Sequence, residues 1–556
     1  MCIVKRFSVM AAALLVWAGV AAQSYNIGGA VMDHDIISTA DVLSLSQRQP
    51  LGTARSMAMG GAFTSLGGDL AAIGINPAGL GMYRQNDVAI TLSVGINKAS
   101  TPGVIAYNKD DNTTTRFSIN NLGASMKVYE GTGKILAVNL ALSYNKVADY
   151  NYSTSFSMPN NAGSLADAFA DMANGGGLVI NPTSEGRFIG DTYGNNNYML
   201  NPYYWGAVLG YKNGLINNKG AGWLPDEIGN GAAINQFYSL RSQGSAAEYS
   251  VAVGANYNNI VYFGASLDIQ SINREQHIYY GEEIDYPGGA PSGDELEYRL
   301  NYFNYSQTTR INGSGIGAKV GVTVRPVEAL RIGVAFHTPV YYSLSYRYVA
   351  QMSSRAYSAG DNSEDYTLVN GYVYGNELTP ELLDNGSYRW NYITPMRVLV
   401  GVSYAFGSMA IVSVDYQYDA YTAMRFRSAP YDVNEGNAMF RSELRGTHTV
   451  RGGVEIKPHP IFALRVGGGY TDRVARSKDI IFSHSVLRDT WYCSAGVGFR
   501  LSKVVYLDLA YSYRSESHTP YYLYYSVADS GEANQSGLFK TDCTRHNVAL
   551  TLGVRF

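Results

Sequence analysis

NVALTLGVRF, residues 547–556, ends the sequence and indicates its fold class. Every even-numbered position in it is apolar, whereas the odd positions are small, polar or charged. This period of two is typical of a β-strand with one apolar and one polar face. A soluble β-sandwich strand would alternate in the same way, but the terminal Phe556 and the repetition of the pattern upstream favour a membrane barrel. We expect Phe556 to be the assembly signal that the barrel-assembly machinery reads.

The same alternation recurs in 505–514, 412–419 and 136–145. In each, one face carries Val, Leu or Tyr, and the other carries carboxylates, amides or small residues. One face therefore suits lipid, and the other needs water or polar partners.

These patterns predict an all-β membrane protein, a 14-stranded antiparallel outer-membrane β-barrel. Short turns such as Asn258-Asn259 and Gly407-Ser408 follow the even-numbered strands, and long loops follow the odd-numbered ones. Short periplasmic turns, long outer loops and an even strand count are the signature of such barrels. The predicted strands are 86–98, 114–128, 134–150, 246–257, 260–283, 297–325, 330–350, 387–406, 409–427, 445–457, 462–475, 488–501, 504–517 and 541–556.

Composition agrees with a barrel and excludes other classes. The chain has 60 Gly and 46 Tyr against 18 Phe, and Tyr suits a wall that is apolar in the membrane and wet at its rims. No segment after the N-terminus is apolar enough for a transmembrane helix, a finding equally compatible with a soluble secreted protein. The net charge of -3 indicates no nucleic-acid partner.

The N-terminus has the pattern of a signal peptide at 1–22. Lys5 and Arg6 precede an apolar run, 7–20, that is short for a membrane anchor, the alternative reading. We expect cleavage before Gln23 and export to the outer membrane of a Gram-negative cell.

Residues 23–85 precede the predicted barrel of 86–556 and do not alternate. Small residues dominate GTARSMAMGGAFTSLGGDLAAIGINPAGLGMYR, residues 52–84, and Asn76-Pro77 forces a turn. A phosphate-binding loop is excluded, because the stretch lacks the Gly-Lys-Ser/Thr ending and follows no strand.

The stretch 52–84 resembles the hatch of the FadL/TodX-type outer-membrane transporters, a family of long-chain fatty acid and aromatic-hydrocarbon channels. The resemblance implies a hatch of short helices that plugs the lumen, a hydrophobic small-molecule ligand, and release of that ligand sideways into the bilayer. The residues that match the hatch motif are Gly60, Gly61, Asn76, Pro77, Ala78 and Gly79.

A predicted extracellular loop, 151–245, is unusually long and aromatic. It contains a predicted short helix and the residues that we expect to capture ligand, by analogy with the family's outer-loop site. A lid that packs against itself is the equal alternative. The candidate capture residues are Leu165, Phe169, Trp205 and Trp223.

Lateral release requires a break in the hydrogen-bonded wall, because a closed barrel has no edge. In the family the break resembles a kink in strand 3, but 134–150 contains neither Gly nor Pro. Pro339 and Pro395 lie at similar heights on predicted strands 7 and 8, and each lacks an N–H for the ladder. They are the candidate lateral exit, with ordinary bulge or rim positions as the alternative.

The other polar residues form no reactive constellation. We expect an inward-facing polar set of Asp268, Asp415, Asp419, Asp508, Arg465 and Arg555. The eight His residues lack metal-site spacing, and no serine stands in an evident lipase arrangement, so we predict no catalytic residues, metal or cofactor and no enzyme activity.

After signal cleavage two cysteines remain, Cys493 and Cys543, on predicted strands 12 and 14. These strands are not neighbours, so the Cα atoms would lie about 10 Å apart, too far for a disulfide unless the last loop folds back.

Two functions follow from this sequence. The first is outer-membrane transport of hydrophobic small molecules, which predicts an apolar pocket in the lumen. The alternative is an outer-membrane scaffold or shuttle that assists protein export or surface binding, which predicts a lumen without such a pocket.

Overall fold

The computed structural model describes most of the chain after the predicted signal peptide. The described residues are 25–32, 39–102, 112–160, 163–175, 205–218, 222–225, 233–285, 298–358, 366–369, 388–428, 433–477, 486–528 and 533–556.

The chain forms a closed antiparallel barrel of 14 strands, as predicted. The last strand pairs with the first, with Leu552 opposite Ile90, and so closes the sheet. In chain order β1 to β14 span Asp87–Ser100, Thr113–Glu130, Ile135–Asp149 with Tyr152–Asn160, Ala233–Tyr257, Val261–Asp285, Tyr298–Val324, Leu330–His337 with Tyr341–Ser358, Tyr388–Ile393 with Arg397–Phe406, Ala410–Asp419 with Arg425–Ser428, Thr447–His459, Phe462–Thr471, Leu487–Arg500, Val505–His518 and Asp542–Arg555.

The alternation in the closing strand is confirmed. Leu550 is 40% exposed on the outer surface, and Thr551 is 1% exposed on the inner one. The inner face is not wet, however, because Thr551 Oγ1 accepts a hydrogen bond from the backbone N–H of Ala54. A polar residue facing the lumen is therefore a packed residue in this barrel.

The short turns also follow the prediction. At Asn258 and Asn259 both φ angles are positive, 53° and 55°, which is the geometry of a type I′ hairpin. Asn tolerates this region better than most residues, so two adjacent Asn residues form the tight connection between β4 and β5.

Short helices fill the barrel between residues 39 and 84, here called the hatch. They are α1 (Thr39–Ser46), α2 (Ala54–Ala58) and two 3-10 helices, Leu70–Gly74 and Pro77–Met82. Thr53, Asp69 and Asn76 cap the last three of these helices through their side-chain oxygens. No helix in the described residues is long and apolar enough to cross a membrane.

Three strands are much longer than a membrane crossing requires. β4, β5 and β6 have 25, 25 and 27 residues, whereas about 9–11 residues cross a bilayer. Along β5 the apolar side chains change face without a break: Leu267 and Ile269 are exposed outside, but Ile272 and Ile278 are buried inside. The change of face marks where the sheet leaves lipid and begins to enclose its own core.

The extended strands and the outer connections form a cap over the long-loop end of the barrel. It includes α3 (Leu165–Gly175), α4 (Trp205–Lys212) and α5 (Val433–Glu443). The predicted loop 151–245 is thus shorter than expected, because β3 continues to Asn160 and β4 begins at Ala233. Short strands complete the cap: Tyr25–Gly28, Ile216–Asn218, Trp223–Pro225, Tyr366–Val369, Tyr521–Tyr522, Tyr525–Ala528, Ala533–Gln535 and Leu538–Phe539.

Candidate functional site

The hatch contacts the barrel wall at a point where the hatch segment and the wall strand both carry glycine. Gly60 has a φ of 64°, and a Cβ there would lie 2.6 Å from the backbone nitrogen of Gly468. Gly61 follows with a φ of 70°, also in the left-handed region that favours glycine. Tyr492 donates a hydrogen bond to the Gly60 carbonyl over 2.8 Å. Glycine at this contact lets two backbones approach closely.

The Asn76-Pro77-Ala78-Gly79 stretch forms a capped turn against the opposite wall. Asn76 Oδ1 accepts a hydrogen bond from the Ala78 N–H (3.0 Å), and its amide nitrogen donates to the Thr64 carbonyl (2.6 Å). Pro77 occupies the first position of the 3-10 helix, where no N–H is required. The turn reaches the wall so closely that a Cβ at Gly264 would lie 2.2 Å from Pro77.

Ion pairs hold the hatch at the short-turn end. Arg55 of α2 pairs with Glu455 (2.8 Å), and Arg465 joins the same carboxylate (2.7 Å) and Asp508 (2.5 Å). The Asp415 carboxylate accepts hydrogen bonds from both the N–H and the hydroxyl of Thr64. Burial of charge is costly unless it is paired, so these contacts orient the hatch specifically.

The rest of the predicted inward-facing polar set is also partnered. Asp268 lies 3.1 Å from Lys319, Asp419 lies 2.9 Å from Arg397, and Arg555 lies 3.0 Å from Asp87. The lumen is therefore lined by ion pairs and hatch contacts.

Two cavities lie on either side of the hatch. One of about 130 Å³ faces the long-loop end, and its lining includes Arg48, Arg397 and Arg451. Another of about 320 Å³ faces the short-turn end and includes Arg500 and Tyr506. Both linings contain charged and amide side chains, but at the 130 Å³ cavity the larger share of the exposed lining is apolar. The cavities found among the described residues therefore offer a mixed surface and not the wholly apolar pocket expected of a transporter.

The predicted capture residues lie in the cap. Leu165 and Phe169 of α3 are completely buried, and Trp223 is almost so. The Phe169 ring packs edge-on against Tyr305, 5.5 Å between centroids. Trp205 begins α4. The packing favours the lid interpretation, because a ligand reaches these side chains only after the cap separates from the barrel.

A buried carboxyl of β5 holds the start of α3. Glu282 accepts hydrogen bonds from the Ser164 hydroxyl (2.5 Å) and the Leu165 N–H (2.9 Å). Burial raises the pKa of Glu282 to about 7, although the Ser164 and Tyr280 hydroxyl donors partly oppose this. No cation pairs with Glu282 among the described side chains. The docking of α3 therefore depends on a carboxyl that titrates near neutral pH.

The barrel wall loses its backbone pairing between β2 and β3. The ladder joins these strands from Glu130–Ala137 up to Asn121–Asn145 and then ends. Above it, the register of β3 against β4 shifts between Lys146 and Ala148. In the described part of the chain, the second segment of β3 pairs with β4 alone. We call the space between 113–120 and 146–160 the β2–β3 gap.

Among the described residues, only side-chain hydrogen bonds cross the β2–β3 gap. The hydroxyls of Thr114 and Ser153 lie 3.1 Å apart, and Lys146 Nζ donates to the Ser118 hydroxyl over 3.1 Å. At its base Asn121 donates to the Asn145 side chain over 2.7 Å. The absence of Gly and Pro in 134–150 put a break at strand 3 in doubt, yet the chain leaves the ladder there without either residue. Asn145 and Lys146 also line the 130 Å³ cavity, so the gap borders the lumen.

Pro339 and Pro395 also interrupt their strands, but the wall there remains bonded. β7 is broken at 338–340 and β8 at 394–396, a pair of breaks we call the proline interruption. Thr394 Oγ1 accepts the hydrogen bond of the Val340 N–H (2.9 Å), and the Val340 carbonyl accepts from the Thr394 N–H (3.1 Å). Thr338 Oγ1 likewise accepts from the Ala318 N–H of β6 (2.9 Å).

The cysteines do not pair. Cys493 is exposed on the outer face of β12, and Cys543 is buried on the inner face of β14. Both thiols are free, and their opposite orientations exclude a disulfide without rearrangement of the strands.

The sequence did not reveal the residues at the base of the gap, Asn121 and Asn145. Single Asn residues on an inward face look like ordinary lumen residues. A weak signal was present at Asn120-Asn121, two adjacent polar residues that interrupt the alternation. Asn120 is the extra residue of a β-bulge opposite Thr91–Leu92, and both Asn side chains are buried.

No family model matches the sequence, and no curated protein matches it. Solved structures similar to the chain include the Ralstonia pickettii toluene transporter TbuX (TM-score 0.45, 14% identity, 91% of this chain and 99% of that one). The Pseudomonas putida toluene transporter TodX is similar with a TM-score of 0.46 and 12% identity, over 92% of this chain and 100% of that one. A Pseudomonas aeruginosa FadL homologue is similar with a TM-score of 0.48 and 10% identity, over 91% of this chain and 98% of that one. At such scores and identities these similarities carry no argument about function.

Proposed function

We propose that this chain is a Gram-negative outer-membrane channel for hydrophobic small molecules, closed by its hatch and emptied sideways through the β2–β3 gap. The apolar outer surface of the barrel supports a location in a bilayer, since Leu267, Val251 and Leu142 are all exposed there. Strands of alternating polarity in a closed sheet satisfy their own backbone groups in lipid.

The β2–β3 gap is the observation that carries this proposal. An apolar ligand gains about 0.8 kcal/mol per CH₂ on moving from water to lipid, and the hydrogen-bonded ladder is the barrier to that step. At the gap the ladder is missing, and the 130 Å³ cavity lies beside it at Asn145, Lys146 and Val147. A ligand in that cavity has side chains, and no backbone ladder, between it and the bilayer.

The remaining site assignments follow from this route. Ligand enters when the cap residues Leu165 and Phe169 separate from the barrel. The hatch, with Gly60-Gly61 and Asn76-Pro77-Ala78-Gly79 at its wall contacts, then shifts to enlarge the lumen. Phe556 serves the assembly machinery that inserts the barrel.

A scaffold or shuttle for protein export or surface binding remains the second candidate. The observation favouring it is the set of charged side chains in the lining of the 130 Å³ cavity, among them Arg48, Arg397 and Arg451. Under this function the cap is the working surface and the hatch is a permanent plug.

Uptake of a fluorescent long-chain fatty acid by cells that carry the full chain separates these functions. Transport predicts uptake well above cells with an empty vector. It also predicts loss of that uptake when an Ala54→Cys/Thr551→Cys disulfide, in a background without Cys493 and Cys543, ties the hatch to β14, and recovery on reduction. Each single cysteine variant is the matched control. Uptake no greater than with the vector would leave only the scaffold.

A further inference from the structure

Three side chains of different chemistry converge on the inner face of the last two strands. Glu516 and Cys543 are direct cross-strand partners on β13 and β14, and His518 lies two residues beyond Glu516 on the same face. One ligand atom from each lies within 4.8 Å of the others. Residues at i, i+2 and the cross-strand position share a sheet face, so the fold itself brings these groups together.

Two of the three side chains have unused binding capacity. His518 Nδ1 is buried without a hydrogen-bond partner in the described structure. Cys543 is buried with a free thiol. Buried polar atoms are normally paired, so an orphaned imidazole nitrogen beside a thiol is a feature that requires explanation.

The local charges suit metal ligation by Glu516 and His518, whereas the Cys543 thiol must lose its proton on binding the metal. Burial raises the pKa of Glu516, but Arg545 and Arg514 outweigh it and lower the pKa to about 2, so the carboxylate is ionised. Burial lowers the pKa of His518, which keeps the imidazole neutral with a free lone pair. Burial raises the pKa of the Cys543 thiol to about 12.

The two arginines are the main opposing feature. Arg514 and Arg545 lie 2.9 Å from separate oxygens of Glu516. Asp149 lies 3.9 Å from Arg545 and offsets part of that positive charge. A carboxylate held by guanidinium groups still has lone pairs for a metal, and such partners orient ligating carboxylates in many sites.

We propose that Glu516, His518 and Cys543 form a binding site for a divalent transition metal of the zinc class. Thiolate, imidazole and carboxylate are the ligands that zinc takes in proteins, and three protein ligands leave a fourth position for water. Ligand atoms around tetrahedral zinc lie about 3.5 Å apart, so side-chain adjustments of about 1 Å complete the site. On binding, the Cys543 thiol releases its proton to solvent and the sulfur bonds the metal as thiolate.

The position of the site indicates its effect. β13 ends and β14 begins at this site, on either side of the connection that contributes Tyr521–Tyr522 and Leu538–Phe539 to the cap. A metal bound to both strands would link their outer ends and stabilise the cap above them. This inference is independent of whether the channel transports a ligand.

Cobalt(II) binding to the full chain in detergent tests the site. We expect about one Co²⁺ per chain, a thiolate-to-cobalt charge-transfer band, and displacement by Zn²⁺. Cys543→Ser should abolish the band, and His518→Ala should weaken binding by about tenfold or more. Cys493→Ser is the matched control, because that thiol lies outside the barrel, and it should bind like the parent.

A second measurement holds even if the Cys543 variant folds poorly. In the Cys493→Ser protein, stoichiometric Zn²⁺ should slow alkylation of Cys543 at least about tenfold, and a chelator should restore the rate. An alkylation rate unaffected by Zn²⁺, or a cobalt band that survives Cys543→Ser in folded protein, would overturn the proposal.

Discussion

The β2–β3 gap and the proline interruption are two breaks in one wall with opposite consequences. At the proline interruption the strands lose regular structure for three residues each, yet the Thr338 and Thr394 hydroxyls accept hydrogen bonds from the backbone N–H groups of Ala318 and Val340. The ladder resumes at once, with Tyr341 opposite Ile393. At the β2–β3 gap the backbone pairing ends at Asn121–Asn145, although no proline stands at that point of either strand.

The loss of one hydrogen-bond donor and the loss of a neighbouring strand have different consequences for the barrel wall. A proline removes one N–H, and a nearby hydroxyl can restore the local bonding. A strand that leaves the sheet exposes a row of backbone groups that single side chains cannot replace. The second kind of break is the one that opens a route through a barrel wall.

The largest expected effect concerns the cap, whose core includes Tyr150 from the gap and Val340 from the proline interruption. Glu282 has a pKa of about 7 in the folded protein against 4.5 when unfolded. A raised carboxyl pKa stabilises the docked cap fully below pH 4.5, and this stability is lost as pH rises towards 7. The free energy of cap docking changes by at most about 3 kcal/mol over this pH range.

Labelling of an Ala168→Cys variant measures this opening, since Ala168 is buried in α3. In a background without Cys493 and Cys543, we expect the labelling rate to rise from pH 5 to pH 8. The rise should be larger than the one that thiol ionisation alone produces in an exposed cysteine. Glu282→Gln, which stays neutral, should remove the excess. An identical pH profile for both proteins would show that Glu282 does not control the cap.

The next effect tests the bonding at the proline interruption. Thr394→Val leaves the buried Val340 N–H without its acceptor and should destabilise the barrel by about 1–3 kcal/mol. Thr394→Ser keeps the hydroxyl and should remain close to the parent. Denaturant unfolding in micelles gives both values. Equal stability of the Val and Ser variants would mean that the hydroxyl does not close this break.

The smallest effect is expected at the prolines themselves. The wall is already bonded there, so Pro339→Thr with Pro395→Thr should leave fatty-acid uptake within about twofold of the parent. This is well under the tenfold change that corresponds to about 1.4 kcal/mol. A severalfold reduction would instead place the exit between β7 and β8, as the sequence suggested.

Local patterns in the sequence predicted the parts of the fold that depend on local forces. The closing strand, the fourteen-strand count and the Asn258-Asn259 turn follow from alternation and turn chemistry. The cap boundary was missed, although the change of face between Ile269 and Ile272 was visible as a switch of apolar residues from odd to even positions.

The β2–β3 gap was missed for a different reason. Whether β3 follows β2 or leaves it depends on what occupies the lumen, and not on the residues of β3 alone. Glu248 illustrates this, because it lies on β4 yet binds Arg48 of the hatch and Lys319 on β6. Contacts between such distant positions leave no periodic signal in a single sequence.

A disulfide across the β2–β3 gap tests the central claim most directly. Thr114→Cys with Ser153→Cys joins positions whose hydroxyls lie 3.1 Å apart, and Ser343→Cys with Asn391→Cys joins ladder partners on β7 and β8 as the control. In a background without Cys493 and Cys543, we predict that oxidation of the first pair reduces fatty-acid uptake at least about tenfold, a barrier increase of about 1.4 kcal/mol. Reduction should restore uptake, and the control pair should transport normally in both states. Unchanged uptake with the gap fully cross-linked would contradict lateral release through it.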